Sequence, residues 1–360
     1  MTLFDHGSGQ LRALGRACGY DEHEIAGMLR VFAVAAESWG GRCVEETPRW
    51  SGVTDDCSPF EFSLAIEPTG TELRMLAEAQ RDPASPDTYW NAGVDLTRRL
   101  SDHCNAALDG FERVSDLFRP RAEVYFSMLH GICFGRGDSP SMKVYLNPKA
   151  QGLERSGAIV GEALAGIGYA GVVENLQSRM RPGDEYQFLC FDLDHVFESR
   201  IKIYIRHRRC TFDELHRYVA QVDSGVADDA SLLVSALLDG RLPRPPLTMY
   251  ALNPEFGLLP GCALHVPTFP YAGEDAVIRH RIVSLLSRFG LPTSTYVRCV
   301  DALSSGANSD EVGIHNYISI QRRGGSPRVT IYLCPRLYLH RLGAIAFDPQ
   351  SAWPTPVNSW

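Results

Sequence analysis

The sequence predicts an α/β protein whose five ααββ repeats form a ten-stranded antiparallel β-barrel ringed by helices. Helical segments and β-hairpins alternate five times along the 360 residues. The second strands of these hairpins recur at intervals of 69, 59, 61 and 67 residues, counted through Arg74, Lys143, Lys202, Ala263 and Thr330. A near-constant interval indicates a repeated supersecondary unit, and ten strands most simply remove their unpaired edges by closing into a ring.

The first two repeats show the pattern most clearly. The segment DEHEIAGMLRVFAVAAESWG places Asp21 and Glu24 in capping-box spacing and ends at Gly40, so we predict a helix there. SPFEFSLAIEP then alternates like a strand, and TELRMLAEA follows a Thr-Gly turn as its partner. Helical sequence at 86–116 leads to the second hairpin, in which AEVYFSMLHGICF and SMKVYLNP flank the turn-rich GRGDSP.

The other three repeats keep the same order of elements. Helices are predicted near 150–170, 211–222, 228–239, 275–289 and 296–305. They precede hairpins whose second strands read SRIKIYIRH, GCALHVPTFP and PRVTIYLCPRLY. We expect residues 1–340 to form one domain and residues 341–360 to form a C-terminal tail.

The strand SRIKIYIRH separates charged from apolar residues. Arg200, Lys202, Tyr204 and Arg206 fall on one face, and three isoleucines fall on the other. In a barrel one face of every strand points into the lumen. The isoleucines suit the face beneath the helices, so we expect the positive charge to lie inside the barrel.

Cations at matching positions of several strands predict an anion-binding cavity. Arg74, Lys143, Arg200 and Lys202 would repel one another inside a lumen unless an anion lay among them. Tyrosines stand at matching positions and offer hydroxyl donors: Tyr145, Tyr204, Tyr317 and Tyr332. Arginine forks, ammonium groups and phenols together suit a diphosphate. Salt bridges to neighbouring acids are the simpler interpretation for any one of these cations.

Composition excludes several other classes of function. A net charge of −8 and a pI of about 5.8 do not suggest a nucleic-acid-binding surface. Ten cysteines occur without CxxC pairs, and no aspartate-rich metal motif, P-loop or GxGxxG motif after a strand is present. No apolar run approaches 18 residues and MTLFDHGSGQ does not read as a signal peptide. We therefore expect a cytoplasmic protein with no membrane partner, no metal and no required cofactor.

The strand motifs SRIKIYI, KVYLNP and VTIYLCP resemble those of a known enzyme family. The chain is similar over roughly residues 10–340 to the aromatic prenyltransferases of the ABBA superfamily, specifically the dimethylallyltryptophan synthase type. Its length is similar to that of the shorter bacterial members. The resemblance implies metal-independent transfer of a dimethylallyl or geranyl group from its diphosphate to the indole ring of tryptophan or a tryptophan-derived metabolite. The prenyl diphosphate would be a co-substrate and the transfer would pass through a carbocation.

The resemblance also implies roles for individual residues. Arg74, Lys143, Arg200, Lys202, Tyr317 and Tyr332 match the diphosphate ligands. Tyr145 and Tyr204, again with Tyr317 and Tyr332, match the tyrosines that shield the cation. Glu61, in SPFEFSL, matches the glutamate that accepts the indole N–H and makes the ring more nucleophilic.

Some positions depart from the family pattern or leave alternatives open. In the fourth repeat Ala263 and His265 replace the usual polar residue and tyrosine. This change either weakens one side of the diphosphate site or makes His265 a substitute donor. His130 is a candidate for the base that takes the ring proton, and a structural role is the alternative for both histidines. A phenolic or naphthalene acceptor, or a barrel that only binds an isoprenoid or an anion, are the other functions left open.

Overall fold

The computed structural model describes residues 1–137, 139–193, 200–253, 257–258, 261–269, 272–304 and 313–338. The tail predicted at 341–360 lies outside these residues, so the domain boundary at 340 stays a prediction. Within the described ranges, no helix combines the length and the apolar character needed to cross a membrane.

The strands form one closed antiparallel sheet. Ten strands pair in a ring, which closes where the last strand pairs with the first, and the two-residue β8 pairs only with β7 among the described residues. The strands are β1 Phe60–Glu67, β2 Gly70–Glu78, β3 Met128–Phe134, β4 Ser141–Leu146, β5 Asp184–Asp192, β6 Arg200–His207, β7 Leu247–Asn253, β8 Gly257–Leu258, β9 Ala263–Pro267, β10 His315–Arg323 and β11 Ser326–Leu333. The predicted ten-stranded barrel is confirmed.

Helices surround this barrel and precede each hairpin, as predicted. They are α1 Leu3–Cys18, α2 Glu22–Ala36, α3 Pro86–Cys104, α4 Asp109–Val114, α5 Ser156–Gly166, α6 Val173–Gln177, α7 Phe212–Ala220, α8 Ser224–Leu238, α9 Asp275–Arg288 and α10 Ser294–Ser304. The predicted capping box is confirmed, because the Asp21 carboxylate accepts from the Glu24 amide and the Glu24 carboxylate accepts from the Asp21 amide, both at 2.8 Å. The helix ends at Ala36 rather than Gly40.

The hydrophobic core lies between the barrel and its helices. Phe60 and Phe62 on β1 are fully buried and contact Phe32 of α2, while Trp39 stacks on Phe60 with ring centroids 5.3 Å apart. On β6, the face that points towards the helices carries Ile201, Ile203 and Ile205, which are also buried. Because these apolar side chains face outward, the charged residues between them on the same strands face the lumen.

One strand begins later than its sequence suggests. AEVYFSMLHGICF alternates from residue 122, but β3 begins at Met128. Tyr125 instead packs edge-on against Trp50 with ring centroids 4.7 Å apart, and the Trp50 indole N–H donates to the Tyr125 carbonyl at 2.7 Å. A tertiary contact therefore overrides the local strand preference here.

We expect Gly7→Ala to destabilise the protein although alanine favours helices. A Cβ at Gly7 would lie 2.9 Å from the Phe60 ring and even closer to the Phe32 ring. Overpacking of this kind costs about 1–3 kcal/mol of unfolding free energy, which urea denaturation would measure. The matched control is Gly9→Ala in the same helix, where a Cβ meets nothing within 4 Å and should add about 0.5–1 kcal/mol. Equal effects of the two substitutions would contradict the packing argument.

Candidate active site

Two adjoining pockets in the barrel lumen share part of their lining and form the two chemically different halves of its cavity. The cationic half is lined by Glu72, Arg74, Lys143, Asp192, Arg200, Lys202 and Arg328, among others. The aromatic half is lined by Glu61, Leu76, Leu129, Phe188, Leu247, Asn316 and Tyr317, among others. Seven residues line both halves and so lie where the halves meet: Arg74, Cys133, Lys143, Tyr145, Tyr204, His265 and Tyr332.

The structure brings together the four cations predicted for an anion site. Their place follows from strand alternation: Arg74 is on β2, Lys143 on β4, and Arg200 and Lys202 are two residues apart on β6. In the register of the sheet, Asp192 on β5 is the direct partner of both Lys143 and Arg200. The described cations of the cavity therefore already have a carboxylate among them.

That carboxylate contacts both lysines. The Lys202 ammonium donates to the two oxygens of Asp192 at 2.7 and 2.5 Å, and the Lys143 ammonium lies 3.8 Å from the nearer oxygen. Burial opposes ionisation of Asp192, but Lys143 and Lys202 outweigh it and lower its pKa to about 2. Burial, and then the charge of Lys143, lower the pKa of Lys202 to about 8, although Asp192 counteracts them.

A second carboxylate holds the arginines. Glu72 accepts from Arg74 at 2.5 Å and from Arg328 at 2.7 Å. Sequence reasoning missed Glu72, Arg328 and Asp192 as cavity residues. Alternation could have found both arginine partners, because Glu72 lies two residues before Arg74 and Arg328 lies four residues before Tyr332, and both of those positions were already assigned to the lumen face.

The four predicted tyrosines form an aromatic wall between the halves. Tyr145 and Tyr204 have ring centroids 6.0 Å apart, Tyr317 and Tyr332 lie 6.4 Å apart, and Phe188 adds a ring 5.4 Å from Tyr204. Burial raises the pKa of all four phenols, that of Tyr332 to about 12. The hydroxyls therefore remain protonated and can donate hydrogen bonds, while the ring faces present negative quadrupoles to the cavity.

His265 completes this wall at the position where a tyrosine was expected. Its ring lies 5.4 Å from Tyr204, and its Nδ1 is 3.3 Å from the Tyr332 hydroxyl. Burial, and then the charge of Lys202, lower its pKa to about 3, so the imidazole is neutral. A neutral imidazole can donate from one nitrogen, which is compatible with His265 as a substitute donor. Ala263 offers no such group.

Glu61 occupies the aromatic half. Its side chain is 4% exposed, and Oε2 accepts a hydrogen bond of 3.1 Å from the Asn316 amide. Burial raises its pKa to about 8, with the charge of Asp55 adding to the rise and the Asn316 bond opposing it. Asn316 was not predicted, because a register shift between His315 and Tyr317 turns it into the cavity and breaks the alternation.

The position of His130 contradicts the prediction that it is the base that takes the ring proton. Alternation on β3 turns Leu129 and Gly131 into the cavity, and His130 points outward. It is fully buried beneath α3, where Nε2 lies 2.9 Å from the Thr97 hydroxyl. Burial lowers its pKa to about 3. His130 is thus a structural histidine that cannot reach a molecule bound in the lumen.

Taken together, the cavity can bind a polyanion beside a wall of aromatic rings, with a buried carboxylate beyond the wall. Among the described residues, no group of three or more His, Cys, Asp or Glu side chains is arranged to hold a metal ion.

Known proteins share both the sequence pattern and the fold. Residues 5–299 match the family model described as tryptophan dimethylallyltransferase. The crystal structure of 6-dimethylallyltryptophan synthase from Micromonospora olivasterospora, in complex with DMASPP and Trp, is 28% identical, with 94% of this chain and 98% of that chain covered and a TM-score of 0.85. The 5-dimethylallyl tryptophan synthase from Streptomyces coelicolor, also in complex with DMASPP and Trp, is 27% identical over 100% and 99% of the chains, with a TM-score of 0.84.

A fungal protein shares the architecture at lower identity. AnaPT from Neosartorya fischeri is 16% identical over 91% of each chain, with a TM-score of 0.76. At this identity the likeness concerns the barrel fold alone.

We expect Glu61→Gln to change how stability depends on pH. The folded pKa of Glu61, about 8, lies above its ordinary value of 4.5. Between these values the folded state holds a proton that the unfolded state has lost, so wild-type stability from this group falls as pH rises. The free energy of unfolding of the variant, relative to wild type, should rise on the order of 3 kcal/mol from pH 5 to pH 8.

Urea denaturation at several pH values measures this difference. The control is Glu123→Gln, which changes an exposed glutamate and should leave the pH profile parallel to that of wild type. A parallel profile for Glu61→Gln as well would show that Glu61 ionises normally in the folded protein.

Proposed function

The chain belongs to the tryptophan dimethylallyltransferase family and is a prenyltransferase, and we propose that it transfers a dimethylallyl group from dimethylallyl diphosphate to the indole ring of tryptophan or a tryptophan derivative. The observation that carries the proposal is the order of groups along one cavity: cations, then an aromatic wall, then Glu61. This is the order in which a leaving group, a carbocation and an indole would lie.

The cationic half would bind the diphosphate and promote its departure. When the C–O bond of the donor breaks, its electron pair goes to the diphosphate, which gains negative charge. Arg74, Lys143 and Lys202 already stand around the site, so this charge would be stabilised without reorganisation of the protein. Arg200 lies at the more exposed end of the same strand face and adds a fourth cation.

The aromatic wall would protect the allyl cation. Faces of Tyr145, Tyr204 and Tyr332 attract positive charge through their quadrupoles, and phenols that keep their protons react with it less readily than carboxylates do. Tyr317 extends the wall towards Glu61. Exclusion of water by these rings matters equally, because an allyl cation would otherwise be hydrolysed.

Glu61 would activate the acceptor. With Oε2 held by Asn316, the other oxygen would accept the indole N–H and push electron density into the ring. The ring would then attack the cation and form the new bond, and the attacked position would give its proton to the departed diphosphate, which restores aromaticity. The raised pKa of Glu61 implies that binding and activation improve as pH approaches 8.

We further propose that the transfer needs no metal ion and takes place in the cytoplasm. Arg74, Lys143, Arg200 and Lys202 would supply the charge that a divalent ion would otherwise bring to a diphosphate. All ten cysteines are free thiols, which suits a reducing compartment.

We expect the purified protein to prenylate an indole in excess EDTA. Dimethylallyl diphosphate would be offered with tryptophan, cyclic tryptophan dipeptides and naphthalenediols, and products would be identified by mass spectrometry. An indole product heavier by one dimethylallyl unit, with matching pyrophosphate release, is the expected result. Loss of activity in EDTA that Mg²⁺ restores would contradict metal independence. Product on the diols alone would assign a phenolic acceptor. If no pyrophosphate were released with either dimethylallyl or geranyl diphosphate, the protein would be a barrel that binds its ligand without catalysis.

We expect Glu61→Gln to lower kcat/KM for the indole acceptor about a hundredfold or more, since the amide keeps the shape of the side chain but not its negative charge. The increase of wild-type kcat/KM as pH approaches 8 should disappear in the variant. Glu123→Gln, with the same chemical change at an exposed site, should match wild type. Activity of Glu61→Gln within threefold of wild type at every pH would remove Glu61 from the mechanism.

A further inference from the structure

Two carboxylates in the cationic half have no part in the transfer described above. Asp192 and Glu72 both line it, in a site proposed to receive a strongly negative ligand. An anionic side chain in such a place repels the ligand, so its presence requires an explanation.

Each carboxylate joins two cations that come from different strands. Asp192, on β5, contacts Lys202 of β6 at 2.5 and 2.7 Å and lies 3.8 Å from Lys143 of β4. Glu72, on β2, contacts Arg74 of the same strand at 2.5 Å and Arg328 of β11 at 2.7 Å. These contacts use the same N–H donors that a diphosphate would use.

These contacts relieve the repulsion that the cations would otherwise exert on one another before an anion binds. The side chains of Lys202 and Arg328 are 8% and 10% exposed, and like charges this close and this dry repel one another strongly. A nearby carboxylate lowers that repulsion and fixes where each donor points. Once a diphosphate takes over the donors, the same carboxylate is left facing another anion.

We propose that Asp192 and Glu72 are positioning residues that act as internal counter-ions: each holds two cations in place before diphosphate binds and weakens the binding of diphosphate afterwards. The inference rests on the proposed function, because it takes diphosphate to be the ligand of the cationic half. Its consequence is that product pyrophosphate leaves more easily than from a site of cations alone.

The two counter-ions differ in one testable respect. Arginine keeps its charge at every accessible pH, whereas a buried lysine can lose its proton. Glu72 contacts two arginines, whereas Asp192 lies beside two lysines. One of these lysines, Lys202, has a pKa already lowered to about 8. Removing Asp192 therefore also removes the charge that keeps Lys202 protonated.

Other groups around Lys202 must be included in this comparison. The charged and titratable side chains that face this part of the cavity are Arg74 of β2, Cys133 of β3, Lys143 and Tyr145 of β4, Cys190 of β5, Arg200 and Tyr204 of β6, His265 of β9, and Tyr332 of β11. None of them is changed in either variant, so differences between the variants report on the two carboxylates.

Isothermal titration calorimetry with inorganic pyrophosphate tests the proposal on wild type, Asp192→Asn, Glu72→Gln and the control Asp116→Asn. Asp116 is an exposed aspartate of the outer layer. Asp116→Asn therefore removes one negative charge, as the other two variants do, but removes it outside the cavity. Each protein is titrated at pH 6 and pH 8.5 in two buffers of different ionisation enthalpy, which counts the protons taken up. The affinity is expressed relative to wild type, so the titration of pyrophosphate itself cancels.

At pH 6 both variants should bind pyrophosphate about tenfold more tightly than wild type, because one repelling charge is gone from a partly screened site. Glu72→Gln should keep this advantage at pH 8.5 within about twofold. Asp192→Asn should lose most or all of it and should take up more protons than wild type on binding. The control should follow wild type at both pH values.

Weaker binding by both variants at pH 6 would overturn the proposal, since the carboxylates would then only support the fold. The same pH dependence in both variants would overturn the distinction between lysine and arginine. Each variant tests by itself whether its carboxylate repels pyrophosphate. If one variant fails to fold, the other still tests the proposal. Absence of pyrophosphate binding by wild type would instead refute the proposed function of the cavity.

Discussion

The two-residue period of strands on a closed barrel is the constraint from which the other features follow. Each strand residue points either to the lumen or to the helices, and closure leaves no third environment. Ile203 is fully buried under the helices while its neighbours Lys202 and Tyr204 face the cavity. A slip of one residue would bury an ammonium group under the helices and put isoleucine in the cavity, so register and chemistry are specified together.

Because the apolar core lies outside the barrel, the lumen can be polar without loss of the packing that holds the chain together. The charges inside the cavity still have to be balanced or shielded. Carboxylates lie among the cations, and the tyrosine rings separate these charges from the buried Glu61. Lys202 against Asp192 and Glu61 against Asn316 illustrate the two ends of this arrangement. One end concentrates charge for an anion, and the other keeps a carboxyl group dry and reactive.

The repeated period made most of the barrel and its cations predictable from the sequence. Arg74, Lys143 and Lys202 fall on the lumen face by counting alone. Features that depend on departures from the period were not predictable, and Asn316 enters the cavity only through a register shift on β10. His130 was misplaced because its neighbours, not it, face inward. The pairing of acids with cations depends on which residues are neighbours across strands. These neighbours follow from the register of the sheet, which cannot be read from the sequence.

The ring closes between the first and the last strands, where Ser63 pairs with Tyr332. Contacts across so long a stretch of chain carry a high entropic cost of loop closure and form late in folding. During synthesis the earlier hairpins would have to wait as an open sheet with exposed edges until the final hairpin leaves the ribosome. Tyr317 and Tyr332 come from that hairpin. The aromatic wall therefore cannot be complete before the barrel is shut, whereas the strands that carry Arg74, Lys143 and Lys202 are made earlier.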